Sequence, residues 1–413
     1  MVNKFLYPRG GSESYMLYLG EHLEAMGHRV EYFGMYDDNN TVGNSLGKYT
    51  QNMDFHSKGL SRFLYPFKII YSFEAYKKIM QVIDDFKPDI VHMNNINFQL
   101  TPSIIYAIKK KGIPLVQTVH DYQMICPNHL LYNFDKNTPC EKCVKGSHIH
   151  CIKNKCIHSS LVKSILGVIE AKFYSFLKTY KKVDLFVCPS HFLENKLLMA
   201  NDYYKGKTKT IHNFINKEKF SAISRKEEDY ILFVGRLSKE KGIENISGTA
   251  KLLREYSFLV AGSGPDENLL KDIPNIKLLG FLTGDKLTQL IGNAKLLLLP
   301  SVCYENCPLS ILEAHAMGVP VVTMNSGGMA ELVKDGVTGT LVHDFTPEGI
   351  ADKLKQTIEN TDYYNSLNLN CKNEKDNILS VKSYADILLK EYEKLLRGDK
   401  CATAESKHHR SCV

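Results

Sequence analysis

The sequence lacks three features that would each point to a particular class of protein. No apolar run approaches the ~20 residues that a transmembrane helix needs, so we expect no membrane span. The opening residues, MVNKFLYPRGG, lack the apolar stretch of a signal peptide, although they begin almost within a predicted strand and leave open whether residues precede them. No signature of a nucleic-acid-binding module is present, so we expect no nucleic-acid partner.

Cysteine is not scarce, with 11 residues, but no export signal accompanies it. That combination favours a reducing, cytoplasmic location with free or metal-bound thiols over a disulfide framework. The net charge of +7 is uneven, since residues 1–228 carry 31 Lys and Arg against 21 Asp and Glu. This excess suits an anionic membrane, such as the inner face of the plasma membrane, or a phosphate-bearing substrate. A solvated, lysine-rich surface is the alternative.

The chain of 413 residues is long enough for two domains. Short apolar segments such as DIVHMN, PLVQTVHD, YILFVGRL and AKLLLLPS alternate with helical patterns along most of it. This alternation predicts an α/β fold of two tandem, Rossmann-like, doubly wound domains over 1–215 and 228–382, joined by a polar segment at 215–229. Because ligands bind beyond the carboxyl ends of parallel strands, we expect a ligand in the cleft between the domains.

Two glutamates flank the start of a predicted helix in the segment ENCPLSILE. Proline favours the first turn of a helix, so Pro308 predicts a helix start with the amides of Leu309 and Ser310 free at its positive end. Such an end can hold a phosphate, and Glu305 and Glu313 would then bind hydroxyls on either side of it. The alternative is that both glutamates are solvated acids.

Cations and glycines follow two further strands of the second half. In FVGRLSKEKG, Arg236 and Lys241 come after a buried strand, where a bidentate arginine and a lysine point charge suit a diphosphate. In FLVAGSGP, Gly262, Gly264 and Pro265 form a tight turn that could approach a ligand closely. Surface cations and a plain turn are the alternatives.

The first half has two comparable junctions. In YPRGGSESY, Gly10 and Gly11 stand between a strand and a helix, a junction that can line a phosphate or sugar pocket. In QTVHDYQ, His120 ends a buried strand, where a histidine can bond a sugar hydroxyl or assist proton transfer. The alternatives are an ordinary turn and a structural histidine.

In combination, VGRLSKEKG, the GSGP turn, ENCPLSILEA and GVPVV followed by SGGMAELVKDGVTG resemble glycosyltransferase family 4. YPRGGSESY and TVHDYQMICP resemble the acceptor domain of that family, so the resemblance covers about residues 1–395. It implies the GT-B fold, with an acceptor-binding first domain, a donor-binding second domain and a final helix at 383–398 that returns to the first. Where many members have GFG after the first acid, this chain has Asn306-Cys307-Pro308.

The resemblance also implies an activity and roles for residues. The activity is metal-independent, retaining transfer of a hexosyl-type sugar from a UDP- or GDP-linked donor to a glycan or lipid-linked acceptor of a cell-surface polysaccharide, with no required cofactor. Gly10, Gly11 and His120 would face the reacting centre, and the GSGP turn would lie near the nucleoside. Arg236, Lys241 and the amides of Leu309 and Ser310 would bind the donor diphosphate. Glu313 would bind the ribose hydroxyls, and Glu305 would bind hydroxyls of the donor sugar. A sugar-nucleotide epimerase on the same fold and an inactive nucleotide-sugar-binding scaffold are the rival functions.

A cysteine- and histidine-rich insert, residues 126–158, follows His120. In it, the spacing of Cys140, Cys143, Cys151 and Cys156 resembles that of zinc ligands in a closed, structural site. Free thiols in a packed loop are the alternative.

Residues 159–184 form an amphipathic helix pattern that mixes lysines and acids with large apolar residues. Such a helix could lie on an anionic membrane that carries a lipid-linked acceptor, or pack on its own domain. Residues 399–413 are polar and aperiodic, and we expect them to be a disordered tail.

Overall fold

The structure, a computed structural model, describes residues 1–52, 68–217, 220 and 226–408, with side chains up to residue 398. It contains two domains, each built on a parallel sheet, which confirms the predicted α/β fold. Most of the centre of the predicted 215–229 linker lies outside the described residues. No helix in the described ranges has both the length and the apolar character that crossing a membrane requires.

The first domain has a parallel sheet flanked by helices. Its strands are β1 (Val91–Met93), β2 (Leu115–Thr118), β3 (Tyr132–Asn133), β4 (Thr138–Pro139), β5 (Leu185–Cys188) and β6 (Thr208–Thr210). Its helices are α1 (Gly11–Ala25), α2 (Phe73–Phe86), α3 (Ser103–Lys110), α4 (Ile149–Lys153), α5 (Leu161–Phe176) and α6 (His191–Ala200). The sheet order is β1-β2-β5-β6, and isolated parallel bridges extend it from Met93 through Val2 to Phe33.

The second domain has a six-stranded parallel sheet. Its strands are β7 (Tyr230–Val234), β8 (Ser257–Ala261), β9 (Ile276–Gly280), β10 (Leu296–Leu299), β11 (Val321–Met324) and β12 (Gly339–Val342). Its helices are α7 (Ile243–Leu252), α8 (Gly284–Asn293), α9 (Leu309–Ala316), α10 (Met329–Leu332), α11 (Pro347–Glu359) and α12 (Thr361–Glu374). The order β12-β11-β10-β7-β8-β9 reverses between β7 and β10, the point at which doubly wound sheets bind ligands.

The central strands of the second sheet are fully buried and almost entirely apolar, because helices and neighbouring loops cover them. All four leucines of β10 are buried, as are the four residues of β11. Helix α9 begins after Pro308 and ends before Gly318, whose φ of +74° is the left-handed conformation that glycine adopts at helix ends. The predicted helix start in ENCPLSILE therefore lies directly after a buried strand, at the carboxyl edge of the sheet.

Helix α13 (Val381–His408) packs on the first domain. Tyr384 Oη lies 2.7 Å from Tyr15 Oη, and Tyr392 Oη bonds the buried imidazole of His92. The helix continues to His408, so the predicted disordered tail begins inside it, where residues such as Ala, Glu and Lys favour helix. Residues 409–413 of that tail lie outside the described part of the chain.

The insert contains the antiparallel β3–β4 hairpin and α4, and it contacts both domains. Tyr132 of the hairpin packs against Val302 of the second domain. Tyr304 Oη donates a hydrogen bond of 2.8 Å to Glu141 Oε1, and Lys196 of the first domain pairs with the same carboxylate at 2.7 Å. The insert therefore links the first domain to the loop that follows β10.

Candidate active site

The loops after β7 and β10 bring a cation and an acid together at the reversal of strand order. Lys241 ends a 3₁₀ turn, and its Nζ forms an ion pair with Glu305 Oε1. Ser301 Oγ donates to the same carboxylate oxygen at 2.8 Å. The side chains of the pair are only 29% and 14% exposed, so water screens them weakly. Burial alone would lower the pKa of Lys241, but the charge and hydrogen bond of Glu305, together with Cys303 and Glu240, outweigh burial and raise that pKa.

Helix α9 starts at the end of the same loop after β10. Leu309 and Ser310 lie in its first turn, where a helix has no carbonyl one turn earlier to accept from their amides. The positive end of the helix dipole is therefore directed at this loop. Glu313 lies in the second turn and is half-buried. Burial and then the charge of Glu313 raise the pKa of Tyr18, which places the carboxylate near α1 of the first domain.

The glycine loop of the first domain meets α9 across the cleft. A Cβ at Gly11 would lie 3.7 Å from Leu309 Cδ1, which is van der Waals distance. Gly10 is the N-cap of α1, and a Cβ there would lie 3.3 Å from Glu13 Oε2. The buried Glu13 carboxylate accepts a hydrogen bond of 3.0 Å from Ser12 Oγ. The structure thus places Gly10 and Gly11 opposite the N-terminus of α9.

His120 follows β2 and lies where the two domains touch. Its Nε2 bonds Asn94 Oδ1 at 2.9 Å, and its ring packs edge-to-face on Tyr15 at 5.1 Å. Its carbonyl oxygen accepts a hydrogen bond of 2.8 Å from Asn306 Nδ2 of the second domain. Burial lowers the pKa of His120 to about 4, although the charge of Asp121 opposes this shift. The imidazole is therefore neutral near pH 7, able to hydrogen-bond but not to act as a cation.

A second set of contacts joins the domains at Glu331 of α10. Its carboxylate accepts hydrogen bonds from the backbone N–H groups of His191 at 2.9 Å and Phe192 at 2.5 Å, at the N-terminus of α6. It also lies 3.2 Å from His212 Nε2. Burial alone would raise the pKa of Glu331, but these hydrogen bonds outweigh burial and lower it.

Close packing against the neighbouring backbone, rather than contact with a ligand, explains the two glycines of the GSGP turn. Gly262 has a φ of +152°, and a Cβ there would lie 1.8 Å from Gly235 O. A Cβ at Gly264 would lie 2.2 Å from Leu237 O. These glycines let the loop after β8 pack against the loop after β7, whereas Pro265 is exposed. The turn therefore supports the loop from which Lys241 comes.

Arg236 is exposed at the carboxyl end of β7. Burial lowers the pKa of His158, and the positive charges of Lys163 and Arg236 lower it further. The guanidinium of Arg236 therefore lies on the same side of the cleft as the end of the insert, and it is exposed to solvent.

The nine cysteines with described side chains are free thiols. Cys143, Cys151 and Cys156 share one small buried cluster, in which a thiol hydrogen bond raises the pKa of Cys151 and lowers that of Cys156. Across the described residues, no three His, Cys, Asp or Glu side chains are grouped closely enough to hold a metal ion. The geometry matches the free-thiol alternative, and zinc binding, which would also involve Cys140, stays a prediction.

Four residues at the site had no role in the sequence interpretation. Ser301 and Asn94 directly follow buried strands, so the rule that ligands bind at carboxyl ends of strands could have identified them. Glu331 lies in the short helix α10, and its partners are remote in sequence. Glu13 lies in the first turn of α1, with Ser12 beside it and Asn3 as its other partner. No local pattern indicates either residue.

Two family models match the chain. The model described as Glycosyltransferase Family 4 matches residues 9–219, which is half of the chain. The model described as Glycosyl transferases group 1 matches residues 214–374. The two matches together cover both sides of the cleft.

The chain is also similar to individual proteins. An uncharacterized 42.6 kDa protein in the cps region of Klebsiella pneumoniae is 27% identical over 349 residues, which cover 80% of this chain and 86% of that protein. Anabaena HepE, in a structure with UDP and glucose, has a TM-score of 0.65 at 17% identity, covering 95% of this chain and 98% of that one. Sucrose-phosphate synthase from Thermosynechococcus elongatus has a TM-score of 0.70 at 16% identity, covering 96% of each chain.

At these identities the solved structures establish the fold, which is GT-B, and the family match establishes the enzyme class. The resemblance seen in the motifs is thereby confirmed. The chain belongs to glycosyltransferase family 4.

Proposed function

We propose that the protein transfers a sugar from a nucleoside diphosphate sugar to an acceptor, with retention of anomeric configuration. The observation that carries this proposal is the Lys241–Glu305 ion pair, at the reversal of strand order and next to the N-terminus of α9. A diphosphate needs cations and amide donors, and a sugar needs carboxylates. This part of the cleft offers all three, opposite the glycine loop of the first domain.

In this proposal the donor diphosphate replaces Glu305 as the partner of Lys241. The exposed Arg236 and the amides of Leu309 and Ser310 bind the remaining phosphate oxygens. Glu305, freed from its cation, accepts hydrogen bonds from hydroxyls of the donor sugar. These cations and amides are in place before the reaction, so they stabilise the leaving diphosphate without reorganisation.

The remaining residues position the other parts of the donor and the acceptor. Glu313 binds the ribose hydroxyls, and the turn at 262–265 lies near the nucleoside. The bond from the anomeric carbon to the diphosphate breaks, and a bond to the acceptor oxygen forms on the same face. The leaving phosphate accepts the proton of the acceptor hydroxyl. Neutral His120 serves as a hydrogen-bonding group for the sugar, because its low pKa makes it a weak base near pH 7.

We favour a UDP-linked hexose as the donor, with GDP-linked sugars as the alternative. The support is the Anabaena relative of the same fold, whose structure contains UDP and glucose. Charge on Lys241 and Arg236 would stabilise the diphosphate, so we expect turnover to need no catalytic metal and no other cofactor. We also expect activity to persist in a chelating buffer.

We further propose that the acceptor is a lipid-linked glycan of a cell-surface polysaccharide, reached at the cytoplasmic face of a membrane. The Klebsiella relative comes from a cps region, which favours a polysaccharide pathway. Helix α5 supports the membrane surface, since it buries one face on its own domain and exposes large apolar residues on the other. The exposed apolar residues are Leu161, Val162, Ile165, Ile169, Phe173 and Phe176. Exposed lysines at 163, 172 and 178 accompany them, which suits anionic headgroups.

Co-sedimentation with vesicles tests the membrane surface. We expect binding to vesicles rich in anionic lipid at low salt and weak binding to neutral vesicles. A variant with Ile169→Ser and Phe176→Ser should bind at least fivefold less, whereas Leu369→Ser, at an exposed apolar residue of the second domain, should bind as the unchanged protein does. Equal binding of the three proteins would contradict the proposal.

A panel of donors tests the proposed activity. The protein is incubated with UDP-, GDP- and ADP-sugars, and release of nucleoside diphosphate is followed by chromatography. Slow hydrolysis of one donor is the expected result, with the α- or β-configuration of the released sugar read by NMR. Appearance of an isomeric nucleotide sugar would indicate an epimerase, and tight binding without turnover of any donor would indicate a scaffold.

A further inference from the structure

A cavity of about 180 Å³ lies within the first domain, apart from the residues proposed to bind the donor. Its walls come from α5, from the start of the insert with the residues just before it, from residues 144–148 within the insert, and from the segments around residues 180 and 200–204. No residue of the second domain lines it. At about 30 Å³ for each water, the space would hold roughly six waters or one small ring with its hydroxyls.

Three buried polar atoms on these walls make no hydrogen bond of normal geometry among the described residues, although the side chains of Gln123 and Glu170 lie beside each other. They are Oε1 of Glu170, Nδ1 of His148 and Nε2 of Gln123. Glu170 is 4% exposed and His148 is 7% exposed, so bulk water does not satisfy them. Buried polar atoms are almost always paired, and three unpaired ones on a single cavity indicate that a bound molecule completes them.

Near pH 7 neither titratable group carries a full charge. Burial raises the pKa of Glu170 to about 8; the Gln123 amide beside it opposes the rise and the charge of Asp121 adds to it. Burial and the charge of Lys172 lower the pKa of His148. Burial also lowers the pKa of His129, another wall residue. With Lys145 at the exposed end of the wall, no single sign of charge dominates the cavity.

The unpaired atoms include both donors and acceptors, which restricts the chemistry of the ligand. Glu170 is mostly protonated near pH 7, so its carboxyl group can donate as well as accept a hydrogen bond. A charged ligand would therefore lie against these neutral groups without an opposite charge to pair with, which is costly in a buried cavity. A hydroxyl both donates and accepts, so a polyhydroxylated molecule can satisfy all three.

The rest of the wall suits the same ligand. Tyr174, Tyr180 and Tyr204 provide aromatic surface, and Ile125 and Pro127 provide aliphatic surface. Apolar walls with a few convergent polar groups are typical of small-molecule sites. We propose that this cavity binds one uncharged, hydroxyl-bearing sugar ring. The proposal goes beyond the donor site and does not depend on which donor is used.

The cavity is connected to the candidate active site through the backbone. Gln123 N donates to Asp121 Oδ1 at 2.9 Å, and Asp121 directly follows His120. A ring bound against Gln123 would therefore order the loop that carries His120. A sugar unit of the acceptor and a free sugar share the chemistry described, and the experiment distinguishes them.

Saturation-transfer NMR with methyl α-glucoside, α-galactoside and α-mannoside tests the site on the full chain. We expect at least one glycoside to bind, with glucosamine and glucuronate weaker. Ala171→Phe fills the cavity and Glu170→Leu removes an unpaired polar atom, and each should weaken binding at least tenfold. Glu170→Gln keeps a neutral hydrogen-bonding group, so its binding should stay within threefold of the unchanged protein. Thermal melting and donor hydrolysis verify that each variant is folded and that the donor site is intact.

Three results would overturn the proposal. The first is that no glycoside binds, and the second is that the Ala171→Phe and Glu170→Leu variants bind as tightly as the unchanged protein. The third is loss of binding in Glu170→Gln, because that would mean that the site requires a carboxylate and hence a cationic ligand. Donor hydrolysis is read separately, so failure here leaves the proposed transferase activity standing. If the bound glycoside is an acceptor unit, it raises nucleotide release and becomes glycosylated; if it is a free ligand, it binds without being modified. Either outcome supports the site.

Discussion

A Lys241→Met substitution removes the ammonium group that pairs with Glu305 but keeps an unbranched side chain. The two side chains are 29% and 14% exposed, so an effective dielectric constant near 20 applies. At that value, unit charges about 4 Å apart interact by about 4 kcal/mol. The costs of desolvating the groups and ordering the side chains reduce the net contribution of a charge-assisted hydrogen bond to about 1.5–3 kcal/mol. If the ammonium group binds the diphosphate in the donor complex, kcat/KM should fall about 10- to 150-fold.

The assay is steady-state release of nucleoside diphosphate. The matched control is Lys239→Met in the same 3₁₀ turn, because Lys239 pairs with Glu244 at 3.6 Å and is more exposed. We expect the control to change kcat/KM less than twofold. Urea unfolding should show Lys241→Met destabilised by about 1–3 kcal/mol, since Glu305 is left without its cation at a partly exposed site. Equal kinetic effects of the two substitutions, or a change below threefold at Lys241, would refute the reasoning.

Three further outcomes follow from burial and contact. Burial lowers the pKa of His315 to about 4, so between pH 6.5 and 4 the unfolded chain binds more protons than the folded protein, and stability rises with pH. The substitution His315→Leu should reduce the slope of stability against pH by up to about 1.4 kcal/mol per pH unit, measured by urea unfolding at several pH values. An unchanged slope would contradict this prediction. Gly262→Ala should lose more than about 3 kcal/mol or fail to fold, because its Cβ would meet Gly235 O at 1.8 Å, and near-normal melting would disprove that contact. Glu331→Gln should cost about 1–2 kcal/mol, because a neutral amide bonds the His191 N–H group less strongly, and calorimetric melting would detect it.

The sheets could be predicted because their strands are locally distinctive. The LLLL run of β10 is continuously apolar and the VVTM run of β11 nearly so, a composition typical of strands covered on both faces. The start of α9 at Pro308 and its end before Gly318 also depend on local backbone preferences. For the same reason, Glu305 and Lys241 could be assigned to the carboxyl edge of one sheet before their contact was known.

Contacts across the cleft could not be predicted in the same way. The hydrogen bond from Asn306 to His120 and the bonds from His191 and Phe192 to Glu331 depend on how the two domains are oriented, and no spacing within either domain encodes that. The end of α13 could not be predicted either, because weak helix propensity in a polar segment is indistinguishable from disorder in composition alone.

The insert shows why cysteine spacing alone could not decide whether zinc binds. Cysteine spacing in a sequence fixes which thiols are near along the chain, whereas metal binding depends on where the side chains point. Cys151 and Cys156 are brought together with Cys143 nearby, but among the residues described no three such side chains are close enough to hold a metal ion. The insert instead contacts both domains, because Tyr132 packs against Val302 and Glu141 bonds both Tyr304 and Lys196.

Calorimetric titration of UDP and UMP tests most directly whether a diphosphate is held by Lys241 and the N-terminus of α9. The β-phosphate should add at least one charge-assisted hydrogen bond, so UDP should bind at least about 10-fold more tightly than UMP. That difference should shrink to less than about fivefold in Lys241→Met. Equal affinities of UDP and UMP for the unchanged protein, or a difference that survives the substitution, would contradict the account.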